Sequence, residues 1–223
     1  MSFRDRRQAG QELAAALAGY KNQRVVVLAL PRGGVAVAAE ITAALRAPLD
    51  LVLVRKVGLP QQPELAMGAV VDGAKPLVVR NEDVIAAAGI SQEEFDSVCV
   101  EELAEIERRR RRYLGGRART DVAGRIAIVV DDGIATGATT RAALRATRRR
   151  QPSKLVLAIP VASTESLAAM REEADEVVCL EDHELLGAIG HYYSDFHQIS
   201  DEEVVTTLAR FAERRSESAH SAA

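Results

Sequence analysis

The sequence has no tryptophan, and aromatic residues fill only 4% of its 223 positions. Its core must therefore be built from Val, Leu, Ile and Ala, as in helices laid on a parallel sheet. Cysteine is nearly absent: Cys99 and Cys179 are the only two. Two thiols far apart in sequence suggest neither a disulfide scaffold nor a zinc site, and both read as buried or inert. No apolar run approaches the roughly 20 residues of a membrane span. The opening MSFRDRRQAG is charged and lacks a secretory pattern, so a reducing cytoplasm is the expected location. An excess of one charge is also lacking. Lys and Arg number 29 against 32 Asp and Glu, a formal net charge of -3, which argues against a general nucleic-acid-binding surface.

What is present is an alternation of β-branched runs and helical periodicities. A helix is expected from Asp5 to Tyr20, with Ala9, Leu13, Ala16, Leu17 and Tyr20 on one face. Strands are expected at Arg24–Leu30, Leu49–Val54, Pro76–Val79, Arg125–Val130, Lys154–Val161 and Glu176–Leu180. Between them, Val35–Arg46, Ala138–Arg150 and Ser163–Ala174 read as helices. A longer helix starts at Ser91, where Ser91 and Glu94 form a capping box, and it ends at Gly115–Gly116 after Arg108–Arg112. Those five arginines read as a solvated helix end with i, i+4 partners upstream. Residues 55–70 hold Gly58, Pro60 and Pro63 and are polar in the middle, so they read as a loop leading into a short strand. A last helix covers Asp201 to about Arg214, with a frayed tail over 215–223. The expected fold class is α/β: one domain over residues 1–223, a mostly parallel twisted sheet flanked by helices. Ligands in such folds bind at the carboxyl ends of strands. Three segments stand there: PRGG at Pro31, RKVGLPQQPE at Arg55, and DDGIATGATT at Asp131.

The last of these carries the most chemistry. Ala135, Thr136, Gly137, Ala138 and Thr139 leave backbone N–H groups unobstructed at a helix start, which makes an anion site suited to a phosphate monoester. Asp131 and Asp132 accept hydrogen bonds only, so they suit two vicinal hydroxyls. Ribose 5-phosphate meets both demands. A Walker loop would need Lys where Ala138 stands, and RGGVAVA does not match the dinucleotide-binding spacing.

IAIVVDDGIATGATT resembles the signature of the type I phosphoribosyltransferases, and the resemblance extends over roughly residues 20–200. It implies transfer of the 5-phosphoribosyl group between phosphoribosyl pyrophosphate (PRPP) and a nitrogen nucleophile, with release of pyrophosphate. On that basis Asp131 and Asp132 hold the ribose hydroxyls, and Ala135 to Thr139 cradle the 5-phosphate. PRGG becomes the pyrophosphate loop, where the family often has a cis peptide; Arg32 faces the diphosphate and Gly33 lets the backbone approach it. Arg55 and Lys56 add diphosphate contacts, and residues 57–69 form a mobile loop that excludes water from the reacting centre. A small inserted hood lobe is expected over about 72–124. Mg2+ is implied as cofactor, held mainly by PRPP oxygens and water with no direct protein ligand. The implied partners are PRPP and a small-molecule acceptor, with no nucleic acid or membrane; a homodimer is compatible with this.

Two departures from the family pattern matter. Ala135 stands where some members carry an Asp base, leaving Glu64, or an acceptor already nucleophilic, as the alternatives. Near the C-terminus, Glu184 stands where hypoxanthine-type members stack an aromatic ring, beside Leu185, and His191 stands where they have an Asp. An acidic side chain offers no stacking face, so the acceptor stays open. His183, His191 and His197 lack a metal spacing and read as structural or solvent-facing. Three functions remain open: transfer, PRPP binding by a regulator without transfer, and hydrolysis with water as acceptor.

Overall fold

Val25–Ala29 (β1) is a run of apolar residues buried on every side chain, which suits the middle of a sheet covered on both faces. β1 pairs in parallel with Leu49–Leu51 (β2) on one side and Ile126–Val130 (β6) on the other. Lys154–Ser163 (β7) and Glu176–His183 (β8) continue outward, giving a five-stranded parallel sheet in the order β2-β1-β6-β7-β8. The computed structural model describes residues 2–73 and 76–220.

Alternation along the strands feeds two cores. Val25, Val27 and Ala29 join Ile128, Val130, Val156 and Ala158 under Arg6–Ala16 (α1), Gly33–Leu45 (α2) and Asp201–His220 (α7). Val26, Leu28, Ala127, Val129, Leu155, Leu157 and Ile159 face Ala138–Arg148 (α5) and Thr164–Arg171 (α6). Each fully buried Val, Leu or Ile contributes about 1.5–3 kcal/mol of transfer free energy. With so few aromatics, number replaces size. The thiols fit their inert reading: Cys99 is buried, and burial pushes Cys179 up to about 11. Among the described residues no helix is long and apolar enough to cross a membrane.

Two expectations are corrected between residues 49 and 80. The second strand ends at Leu51, short of Val54: Val52 N–H still donates to the Ala29 carbonyl at 3.0 Å, and Leu53 then turns to Asp72, exchanging bonds with it. The stretch read as a loop is an antiparallel hairpin, Val54–Leu59 (β3) and Gln62–Val71 (β4), joined by Leu77–Arg80 (β5) in a separate three-stranded sheet. Pro60 sits in the turn and Pro63 beside a register irregularity, so neither interrupts the ladder. The lobe built on this second sheet begins at Val54. It includes a short helix that was not expected, Glu82–Ala88 (α3), capped by Asn81 and ended by Gly89.

Gln92–Leu114 (α4) begins with the expected capping box of Ser91 and Glu94. Four of its five arginines are ion-paired: Arg108 and Arg109 with Glu105, Arg111 with Glu107, and Arg112 with Asp201 and Glu202. The last helix runs past Arg214 to His220, and 221–223 of the expected tail lie outside the described residues.

The first residues pair with the segment that precedes α7. Phe3 N–H donates to the Tyr192 carbonyl at 2.9 Å, while Ser194 and Asp195 N–H groups donate to the Phe3 and Arg4 carbonyls at 2.8 and 2.7 Å. Phe3, Ala9, Val161, Leu186 and Tyr193 form a small core beneath this clasp.

Candidate functional site

Register decides which loops share a site. Ala29 pairs with Val130, and Leu30 N–H donates to the Val130 carbonyl at 2.9 Å. PRGG and DDG therefore leave adjacent strands at the same level. The Pro31–Arg32 peptide is cis, matching the expectation for this loop. A methyl on Gly33 would overlap the Asp132 carboxylate, and one on Gly34 would lie 2.7 Å from the Val130 carbonyl oxygen. Glycine is required here by close approach.

α1, α3, α4 and α6 open on side-chain caps from Asp5, Asn81, Ser91 and Ser163. α2 and α5, the helices that follow these two loops, open with no side-chain cap. At α5 the residue before the helix, Gly137, has φ 75°, and Ala135, Thr136, Ala138 and Thr139 are exposed around it. The first amides of α5 thus point outward unsatisfied, the electrostatics of an anion cradle. The Ala135 carbonyl is turned away from that cradle, accepting from Ser163 Oγ at 2.9 Å and Ser166 Oγ at 2.6 Å.

The acid pair is asymmetric. Asp131 accepts from the Asp132 N–H at 2.9 Å and from the Thr140 hydroxyl. Burial, and then the charge of Asp132, push the Asp131 carboxyl well above the usual carboxylate range. Asp132 Oδ2 accepts from Arg6 Nε at 2.7 Å, and the Tyr193 hydroxyl donates to the Asp132 carbonyl at 2.7 Å. Burial is also the main cause that raises Tyr193 above the normal phenol range, so the hydroxyl stays a donor.

The expected diphosphate cations are spread out. Arg32 Nη1 lies 3.9 Å from Asp201 Oδ1 at the start of α7. Arg55 Nε pairs with Glu102 on α4 at 2.5 Å. Lys56 Nζ lies 3.0 Å from Glu64 Oε2, across the hairpin, and Glu64 is 96% exposed. Arg55, Lys56, Pro60, Glu64, Glu101 and Glu102 line a cavity of about 470 Å³ between the hairpin and α4. The structure thus brings together Asp131, Asp132, Gly33 and the 135–139 loop, while Arg55, Lys56 and Glu64 pair among the acids of this second lobe.

Toward the C-terminus, Glu184 is exposed and Leu185 is 93% exposed. The side chain packed on the backbone that follows the acid pair is instead Ile189, whose Cγ2 would stand 2.6 Å from a Cβ on Gly133. His183 packs on Tyr192, His191 is exposed, and His197 pairs with Asp195 and Glu203. Among the described residues no three His, Cys, Asp or Glu side chains gather into a metal cluster.

Sequence reading missed Arg6, Ser163, Ser166, Ile189 and Tyr193. Ser163 and Ser166 carried a signal, the cap at the start of α6; the other three are joined to the site only by tertiary packing.

A parallel sheet thus presents an acid pair beside two helix starts that lack side-chain caps. The chain belongs to the phosphoribosyl transferase domain family, whose model matches residues 4–194. It is 47% identical over 208 residues to "Putative phosphoribosyl transferase Rv0571c" of Mycobacterium tuberculosis H37Rv, covering 93% of this chain and 46% of that protein. The counterpart from strain CDC 1551, "Putative phosphoribosyl transferase MT0597", matches with the same values. The chain thus spans about half the length of these curated relatives. A crystal structure of TT1426 from Thermus thermophilus is 40% identical, with a TM-score of 0.81, covering 95% of this chain and 99% of that one.

Proposed function

We propose that this domain binds PRPP at the carboxyl ends of β1 and β6 and transfers its 5-phosphoribosyl group to a nitrogen nucleophile. The observation that carries this is the Ala29–Val130 register, which sets the acid pair and the two uncapped helix starts at one level. The 5-phosphate lies on the 135–139 amides. Asp131 and Asp132 take the ribose hydroxyls. The diphosphate lies along the start of α2 at Gly33 and Arg32, with Arg55 and Lys56 reached from the hairpin.

As the bond to the diphosphate lengthens, positive charge develops on the ribosyl ring, as in glycoside cleavage. The acid pair favours that charge, and the Gly33 loop with Arg32, Arg55 and Lys56 favours the departing diphosphate. Mg2+ would add Lewis-acid neutralisation of the diphosphate. A hard, strongly hydrated ion would take its ligands mainly from PRPP oxygens and water. The β3–β4 hairpin covers the reacting centre against water. The domain works in the cytoplasm.

No carboxylate stands at Ala135, so the acceptor either arrives nucleophilic or gives its proton to a hairpin residue such as Glu64. That same absence, with exposed Glu184 and Leu185 in place of an aromatic wall, favours one other reading, a PRPP-binding regulator without transfer.

Calorimetry with PRPP and Mg2+ tests the common part of both. Binding is expected for the native protein and a loss of tenfold or more for Asp131→Asn with Asp132→Asn in a protein that stays folded. Silence at millimolar PRPP sinks the proposal. Pyrophosphate release across a panel of bases and amines then separates enzyme from regulator.

A further inference from the structure

Arg6 is a cation buried where a cation is costly. Its side chain is 8% exposed, and removing a guanidinium from water costs several kcal/mol unless its hydrogen bonds and charge are answered. Three contacts answer it: Nε to Asp132 Oδ2 at 2.7 Å, Nη1 to the His197 carbonyl at 2.8 Å, and the Phe196 ring 3.8 Å from the guanidinium carbon. These contacts fix the plane of the fork as well as its position. Arg6 also opens α1 just after the clasp that ties residues 3 and 4 to 192–195, so the backbone beneath it is anchored.

We propose that Arg6 is a positioning residue of the ribose site, which fixes the Asp132 carboxylate and divides the acid pair into one member facing a cation and one that does not. This role rests on the ribose-site reading given above. Two carboxylates placed side by side in a buried site share protons, and a bound diol needs them as acceptors. The groups facing the pair are Arg6 from α1, Thr140 from α5, Tyr193 from the C-terminal segment and, through Tyr193, Glu181 on β8; α2 brings Gly33 and Gly34 against it, with Arg32 before them turned to Asp201. Among these groups Arg6 supplies the positive charge. Burial already drives Asp131 toward its protonated form. Without Arg6 the pair would keep its last proton to higher pH, and the ligand would have to displace it.

The test measures PRPP affinity with Mg2+ by calorimetry between pH 5.5 and 8.5 for the native protein, Arg6→Gln, Arg6→Lys and Phe196→Leu. Arg6→Gln is expected to weaken binding at least tenfold at pH 7, with the loss growing as pH falls, so the acid limb moves up. Arg6→Lys, which keeps charge but not the fork, should recover part of the affinity. Phe196→Leu removes the ring beneath the guanidinium, and its stack on Tyr193, while keeping Arg6 and both acids, and should shift the same limb by less; it keeps the test alive if Arg6→Gln does not fold. Native protein that ignores PRPP overturns the ribose-site reading. Native protein that binds, with Arg6→Gln equally tight or uniformly weaker at every pH, overturns the role of Arg6 alone.

Discussion

Gly33 shows how narrow the tolerance is at the level of one atom. A β-carbon there would enter the Asp132 carboxylate, which Arg6 prevents from moving aside. Gly33→Ala is expected to cost about 1–3 kcal/mol, the range for overpacking a filled site, and to abolish PRPP binding at micromolar concentration. Urea unfolding and calorimetry read the two effects separately; wild-type affinity in Gly33→Ala would reject the close approach of backbone to ligand. The residues that were legible in the sequence share one property, contiguity. Asp131, Asp132 and the 135–139 loop announce themselves because acids, glycines and hydroxyls fall within one short run. Arg6 was not legible because its partner lies 126 positions away. Helical spacing to Ala9 and Leu13 puts Arg6 on the apolar face of FRDRRQAG, but nothing there marks the carboxylate it meets.

Elements were readable where one periodicity ruled. All five strands of the parallel sheet, and the helices between them, follow from buried runs and caps, with ends that differ by a few residues. The hairpin was not legible because its two prolines and polar tip imitate a loop; only the cross-strand partners reveal that Pro60 turns the chain and Pro63 avoids the ladder. That change matters for Arg55, which sits on a strand and is held by Glu102 instead of waiting free. Glu102→Gln should release it and tighten PRPP binding by about 1.5- to 5-fold, the effect of removing a competing pair worth roughly 0.2–1 kcal/mol. Calorimetry at low and high salt checks this, since the gain must shrink as salt screens the cation; a loss of affinity would make Glu102 a support rather than a competitor. On α4, Arg108 and then Arg109 hold Glu105 down to about 2, against an ordinary value of 4.5. A lowered carboxylate stabilises the fold above its unfolded value, and that contribution disappears as pH falls from about 4.5 through about 2. Glu105 is partly exposed, so its share stays under about 1 kcal/mol. Glu105→Gln should be slightly less stable than the native protein at pH 7 and equal to it at pH 2 by urea titration.

The chain sets the PRGG and DDG loops, Arg32 among them, on the parallel sheet and puts Arg55 and Lys56 on a separate antiparallel sheet. Ligand parts should therefore stabilise the fold unequally. A ligand that binds only the native state adds RT ln(1 + [L]/Kd), about 2.7 kcal/mol at one hundred times Kd. For a chain of this size each kcal/mol raises Tm by about 2–4 °C, so saturating PRPP with Mg2+ should raise it by about 5–11 °C. On the proposed site, ribose 5-phosphate would engage the acid pair and the start of α5 and leave the Gly33 loop and the second lobe unengaged. Pyrophosphate would engage those and leave the acid pair alone. Each should give a smaller shift than PRPP, and Asp131→Asn with Asp132→Asn should erase the ribose 5-phosphate shift while sparing that of pyrophosphate. Differential scanning calorimetry on the four combinations decides it. If the double variant loses the pyrophosphate shift and keeps that of ribose 5-phosphate, the two halves of the site have been assigned the wrong way round.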